Sequence, residues 1–336
     1  MQEPPAAVEI SFRSVLKIVG FLLLLVLAWK IRFILISILV SYILMTGFAQ
    51  LSDALHKRGV NKSIASIISY LILIGFFGIL IFLILPPLVA QMRNFIYQMP
   101  RFIDEINGFS VRNNLPIISS ESVAKLISAR IDSIISNSVS FFFNAINVIL
   151  SFFTVAVLSF YMLIERDQIK NNVFRLFPQL PKERVTNLAH KVEYQLGGWL
   201  KGELLLMFII FVMTFVGLTL LKVEYALPLA VLAGLLEAVP VIGPILSAIP
   251  AVIITFTISP IVALGVVVLY VLIQQIENNL LVPKIMQGVI GINPLLTIVA
   301  ILVGANLFGV VGAMLSVPVA AIIQLIIVDL VDHSKS

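Results

Sequence analysis

No cysteine occurs in the 336 residues. That excludes disulfides, thiolate metal sites and cysteine nucleophiles. Charge is scarce: Asp, Glu, Lys and Arg together make up 12% of the chain, about half the roughly 25% of an ordinary soluble domain. The three histidines, His56, His190 and His333, stand far apart in polar gaps, which reads as solvated loop positions rather than a metal site. The sequence holds no His-Glu-x-x-His helix, no Gly-x-Ser-x-Gly elbow and no Gly-x-x-x-x-Gly-Lys phosphate loop. These absences argue against an enzyme, and the missing nucleotide loop argues against a primary pump in this chain. Neither a cofactor nor a metal is expected.

What is present is apolar. Hydrophobic residues make up 60% of the chain and the mean hydropathy is +1.11, against about 45–50% apolar residues in soluble domains. So few charges could not cover so much apolar side chain in water. The composition predicts an all-α polytopic membrane protein with the lipid bilayer as its main partner. The net charge of +5 does not point to nucleic acid, because the Lys and Arg fall in the gaps between apolar runs, where topology needs them.

Reading along the chain divides it into five parts. Residues 1–90 carry three apolar runs, Val15 to Trp29, Phe33 to Leu51 and Ser63 to Ala90. The first two are expected to form a tight hairpin about Lys30 and Arg32, with one bent helix as the alternative. Residues 91–139 mix charges with apolar residues at helical spacing, which predicts amphipathic helices outside the membrane core. Residues 140–164 form a fourth span. Residues 165–203 are polar, basic overall and amphipathic, with Trp199 as an interface anchor. The basic clusters at 56–62 and 165–201 predict both regions and both termini inside, with 91–139 outside.

The last part, 204–330, is read as the core of the molecule. A fifth span, Leu204 to Leu221, precedes an apolar stretch, 225–258, interrupted by Glu237-Ala-Val-Pro240-Val-Ile-Gly243-Pro244. Pro removes a backbone donor and Gly weakens helix, so two half-helices are expected to meet there. A further span, from Ile261 to about Val282, carries Gln274, Gln275, Glu277, Asn278 and Asn279 at its polar end and is stopped by Pro283-Lys284. Asn293-Pro294 then opens a second long stretch, 294–328, broken around Gly304-Ala-Asn306-Leu-Phe-Gly309 and Gly312. The two stretches share Gly-x-x-Leu-Ser followed by Pro: Gly243 to Ser247 with Pro250, and Gly312 to Ser316 with Pro318. One intervening span makes the hairpins enter from opposite faces. The expected architecture is therefore about six full spans plus two broken, re-entrant hairpins in an inverted repeat, a layout found in secondary transporters.

In this layout the chain resembles the autoinducer-2 exporter (AI-2E) family of bacterial membrane proteins. The resemblance is most specific at Glu237 to Pro244, at Gln275 to Pro283, and at Asn293-Pro294 with Gly304 to Pro318. It implies a multi-pass protein of the bacterial cytoplasmic (inner) membrane, an exporter of small molecules and a homo-oligomer. Some members are linked to autoinducer-2 and others to sodium–proton exchange, so the resemblance fixes no substrate.

Glu237 is the leading candidate residue. A carboxylate at bilayer depth costs about 2.5–3.5 kcal/mol on insertion scales. Between Lys222 and Lys284 there is no Lys, Arg or His. Glu237 and Glu277 must therefore be protonated, hydrated, cation-bound or paired with a distant base. Ion coupling uses such a group; the competing role is an N-terminal cap on a half-helix. Gln274, Gln275, Asn278, Asn293 and Asn306 are candidate substrate- or ion-binding amides, with helix-to-helix glue as the alternative. Pro240, Gly243, Pro244, Pro283, Pro294, Gly309, Gly312 and Pro318 are expected to set hairpin geometry. A secondary transporter of small polar molecules, coupled to protons or sodium, is the first function expected. A channel or lipid-moving protein, and a non-transporting membrane scaffold, are the alternatives.

Overall fold

The structure is a computed structural model that describes residues 12–72, 138–176, 181–223, 225–239, 242–256, 259–287, 291 and 293–334, with isolated positions between 74 and 86. The amphipathic region expected at 91–139 lies outside the described residues, apart from the start of the helix at 138. All regular structure among the described residues is helical. The helices are α1 (Phe12–Lys30), α2 (Arg32–Lys57), α3 (Lys62–Ile72), α4 (Ser138–Ile164), α5 (Arg166–Leu176) and α6 (Lys182–Leu220). They continue with α7 (Ala226–Leu236), α8 (Ile242–Phe256), α9 (Pro260–Ile276), α10 (Val282–Ile285) and α11 (Pro294–Ser334). Among the described residues, four segments are long and apolar enough to cross a membrane: Arg32–Lys57, Lys182–Leu220, Pro260–Ile285 and Leu295–Val331. Their outer faces are apolar and exposed, as at Ile261 (81%) and Leu220 (77%), the arrangement that lipid tails cover.

The first two runs do not turn back on each other as a tight hairpin. Ile31 donates to the Leu27 carbonyl at 2.9 Å, and Leu35 donates to that of Ile31 at 3.1 Å. Helical hydrogen bonding thus runs through the junction, and α1 and α2 are one helix bent at Ile31 (φ −95°, ψ 11°). Lys30 and Arg32 interrupt the hydropathy, but a charge does not end a helix; a Gly or Pro does, and none lies at this junction.

The span expected to stop at Pro283-Lys284 ends at Ile285, after loosening into a π turn over Glu277–Leu281 and resuming as α10. Pro283 cannot donate to the carbonyl four residues back, and its ring crowds that carbonyl. The wider π turn relieves the crowding without ending the helix.

The two interrupted stretches differ in how they break. In the first, α7 ends at Leu236, residues 237–239 form turns, and α8 begins at Ile242. Pro240 lies outside the described residues. At 11 and 15 residues the half-helices are about 16 and 22 Å long, too short to cross a hydrocarbon core of about 30 Å. The reversal brings Gly243 onto the carbonyl of Leu236, where a Cβ would collide. In the second stretch, α11 is two helical halves joined at a sharp kink, where Gly309 leaves helical geometry (φ 62°, ψ −143°). Gly304 and Gly312, eight residues apart, would be about 12 Å apart on a straight helix. Instead, a Cβ on either would collide with the other's carbonyl oxygen. Those two glycines let the halves of α11 meet backbone to backbone.

The core has three centres. One joins α6, α7, α8 and α9 through Ile210, Leu218, Leu229, Ala251 and Val266. A second joins α2, α6, α10 and α11 through Ile43, Leu196, Trp199, Met286 and Leu315. The third joins α2, α3 and α4 through Met45, Ala49, Tyr70 and Leu163. Helix α6 enters the first two, so it connects the broken hairpins to the front of the chain.

Candidate functional site: a buried carboxyl cluster

Three helices bring three carboxyl groups together inside the molecule. Glu203 comes from α6, Glu237 from the C-terminal end of α7, and Glu277 from the first position of the π turn after α9. They are 8%, 5% and 6% exposed. The Glu237 and Glu277 carboxyl groups lie within hydrogen-bonding reach of each other, and Glu203 lies near both. Two carboxylates are both acceptors, so a hydrogen bond between them would require a proton. Gln274, one turn before Glu277, donates its Nε2 to Glu277 Oε2 at 3.1 Å. Glu237 Oε2 is buried without a hydrogen-bond partner.

None of the described ion pairs involves these three carboxyls. Lys284 is exposed and makes no described pair with Glu277, which sits inside rather than beside it at an interface. Among the described residues no three His, Cys, Asp or Glu side chains form a group that could hold a metal ion.

The local structure disfavours a capping role for Glu237. Its backbone N–H donates to the Ala233 carbonyl at 3.0 Å, and it closes the C-terminus of α7. A carboxylate is unfavourable at that end of a helix dipole. Its buried Oε2 accepts from no N–H group. A burial this costly, without a cap or an ion pair to offset it, calls for a ligand or a proton.

Of the candidate amides, Gln274 alone touches the cluster. Gln275 and Asn279 are exposed and hydrogen-bond each other, Asn279 Nδ2 reaching Gln275 Oε1 at 3.0 Å. Asn278 is exposed on the same turn. Asn293 accepts from the Leu295 N–H at 2.9 Å, the N-cap geometry, with Pro294 at the first helical position. Asn306 is exposed near the fold in α11. Pro244 lies in the first turn of α8 and Pro318 is fully buried within α11. Glu203 is absent from the sequence expectations. It stands at the polar border of the fifth span, where an acid passes as an interfacial residue. One signal was available: none of the residues three or four positions away is basic.

A second polar cluster lies at one end of the molecule. Glu193 of α6 is 6% exposed and receives Arg166 Nη2 at 2.7 Å and Lys170 Nζ at 2.8 Å. Arg166 Nη1 also reaches Asp53 at 3.3 Å, and Lys62 bonds Asp167 at 3.1 Å. Arg184 donates twice to Asp329 Oδ2, at 2.9 and 3.0 Å. The ends of α2 and α3, helix α5, the start of α6 and the end of α11 are thereby held together.

The chain is similar in sequence to proteins of one family. The family model described as "AI-2E family transporter" matches residues 18–332. The chain is 27% identical over 308 residues to "Putative transport protein YrrI" of Bacillus subtilis (strain 168), covering 88% of this chain and 85% of that one. It is 26% identical over 346 residues to "Putative transport protein YueF" of the same organism, covering 95% and 93%. It is 24% identical over 274 residues to a protein of Halobacillus andaensis named "Sodium-lithium/proton antiporter", covering 76% and 78%.

Proposed function

Because the chain belongs to the AI-2E family of transporters, we propose that it is a secondary transporter that exports small polar molecules, driven by a proton or sodium gradient. The observation that carries this reading is the cluster of Glu203, Glu237 and Glu277, buried on three helices without a described basic partner. A site that holds a proton between two carboxyls and keeps a third beside them can trade that proton for a cation. The Halobacillus relative's name, a sodium-lithium/proton antiporter, favours protons and alkali cations as the exchanging pair.

In this mechanism the two hairpins form an inverted repeat and expose the cluster to each side in turn. The repeat is supported by the shared Gly-x-x-Leu-Ser, whose glycines, Gly243 and Gly312, both take the close approach of the opposing half-helix. Their serines, Ser247 and Ser316, both hydrogen-bond back to their own helix. Residues 204–328 move against a frame made by the front of the chain, in a homo-oligomer of the bacterial inner membrane with both termini inside. A channel would need no such carboxyl pair, and a scaffold would tolerate its loss.

Proteoliposomes with imposed proton or sodium gradients and a panel of small solutes test the reading. Glu237→Gln is expected to insert and fold, since a neutral amide is cheaper in the membrane than a carboxylate. It should lose gradient-driven accumulation while retaining exchange. Unchanged coupling in a Glu237→Gln protein with a lowered melting temperature would assign the residue to structure. Flux that persists without any gradient in the native chain would make it a channel.

A further inference from the structure

We infer that the packing centre shared by α6, α7, α8 and α9 is the closed outer path to the carboxyl cluster, with Thr214, Ser247, Thr255 and Tyr270 as its polar lining. The inference rests on the transport reading of the cluster and names the residues past which its ion arrives. Helix α6 leads into α7 and α8 into α9, at the end of the molecule away from the ion pairs of Arg166 and Arg184. Glu203 stands seventeen residues before the end of α6 and Glu277 seventeen after the start of α9, about 26 Å in along either helix. Four buried hydroxyls lie between. Thr214 is about 9 Å from the end of α6, Ser247 about 14 Å from the end of α8 and Tyr270 about 15 Å from the start of α9, with Thr255 in the last turn of α8. Gln274, one turn beyond Tyr270, carries the row to Glu277.

Thr214, Ser247 and Thr255 are 0% exposed and Tyr270 is 8% exposed. Thr214 shares a face of α6 with Ile210 and Leu218, and Ala251, one turn from both Ser247 and Thr255, belongs with Tyr270 to the same core centre. Leu218, Leu229, Ala251 and Val266 of that centre are sealed from solvent, so the path is shut in this conformation. The hydroxyls do little to hold the helices together. Ser247 donates to the Pro244 carbonyl at 2.9 Å and Thr255 to that of Ala251 at 2.8 Å, both within α8. The Thr214 hydroxyl has no hydrogen-bond partner, although a helical threonine can donate to the carbonyl four residues back. Of the four, Tyr270 alone makes a described bond between helices, to the Ser247 carbonyl at 3.5 Å, the long limit of such a bond. A permanent apolar core gains nothing from these groups, because Val or Phe would fill the same space without burying a hydroxyl. A surface that parts and takes up water does gain, since each hydroxyl then finds a partner. Moving the α7–α8 hairpin away from α6 and α9 opens that surface from the outer end to Glu277.

The test is thiol labelling of single cysteines in the full chain, which has none of its own. Right-side-out vesicles receive a membrane-impermeant trimethylammonium methanethiosulfonate under a proton gradient of either direction. Lys222→Cys, exposed beyond the end of α6, should react at once, and Val216→Cys, on the lipid-facing side of α6 at 49% exposure, should not react. Thr214→Cys and Ser247→Cys should react, at rates that change about tenfold when the gradient is reversed. No reaction at 214 and 247 under either gradient overturns the proposal. So does reaction in inside-out vesicles alone, a rate indifferent to the gradient, or equal reaction at 216. Thr214→Val, the isostere without the hydroxyl, should keep the native melting temperature, because no bond is lost. A clear drop would make the hydroxyl a structural group and also overturns the proposal. The two readings fail separately. Unreactive 214 and 247 with lost coupling in Glu237→Gln remove only the path, whereas labelling that still follows the gradient after Glu237→Gln is added removes the carboxyl reading and leaves the path.

Discussion

At Gly309 the backbone takes φ 62° and ψ −143°, a region that only glycine occupies without strain. Gly309→Ala is expected to cost about 1–3 kcal/mol, read as a lower melting temperature of the purified protein, whereas Gly20→Ala, with open space around it, should be neutral or stabilising. Gly243→Ala should be worse tolerated than either, because its Cβ would strike the Leu236 carbonyl rather than a movable side chain. The break at Glu237 and the importance of these glycines were legible in the sequence, since Gly and Pro in an apolar stretch act locally. Glu203 was not, because what marks it is the nearness of α6 to residues 34 and 74 positions further on. Glu203→Gln is accordingly expected to alter the pH dependence of transport without lowering the melting temperature. An unaltered pH profile would remove Glu203 from the site.

Helices α5 and α6 show how an element is held where it meets water. Arg166 bridges Asp53 and Glu193 with different nitrogens, and Glu193 is the buried member. Arg166→Ala leaves Glu193 with Lys170 and a distant His190, and should cost about 1–3 kcal/mol. Arg166→Lys should recover only part of this, because one ammonium cannot reproduce the fork. Thermal unfolding of the three proteins decides it; an equal melting temperature for all would mean that the network contributes nothing. The Lys62 ammonium beside Asp167 holds that carboxyl below its usual range. A depressed carboxyl stabilises the fold above its unfolded value and loses that contribution as pH falls through its folded one. Asp167 is largely exposed, so the effect is a few tenths of a kcal/mol, screened by salt. Below pH 4 the native chain and Asp167→Asn should therefore converge in melting temperature. Hydropathy alone misplaced one boundary at this scale, at Ile31, where local charges marked a change of direction and the hydrogen-bond ladder carried the helix through. The end expected at Pro283-Lys284 falls at Ile285, with a π turn just before it.

At the scale of the molecule, ion pairs report sidedness that hydropathy can only suggest. Lys62 with Asp167, Arg166 with Asp53, and Arg184 with Asp329 bring four distant parts of the chain to one end. Salt bridges cannot form across a bilayer, so these parts share one side of the membrane, which we propose from their excess of Lys and Arg to be the cytoplasmic one. The native chain has no cysteine, so single cysteines report without background. Cysteines at Lys57, Asn187 and Ser334 should react with a membrane-impermeant thiol reagent in inside-out vesicles and stay protected in intact cells. A cysteine at Ser110, in the region expected outside, should show the reverse. Labelling of positions 57 and 187 from opposite sides would contradict the ion pairs. Labelling of 110 together with 187 would instead add or remove a span between 62 and 166. That result would leave the hairpins and the carboxyl cluster untouched, because helices α6 to α11 pack through contacts of their own.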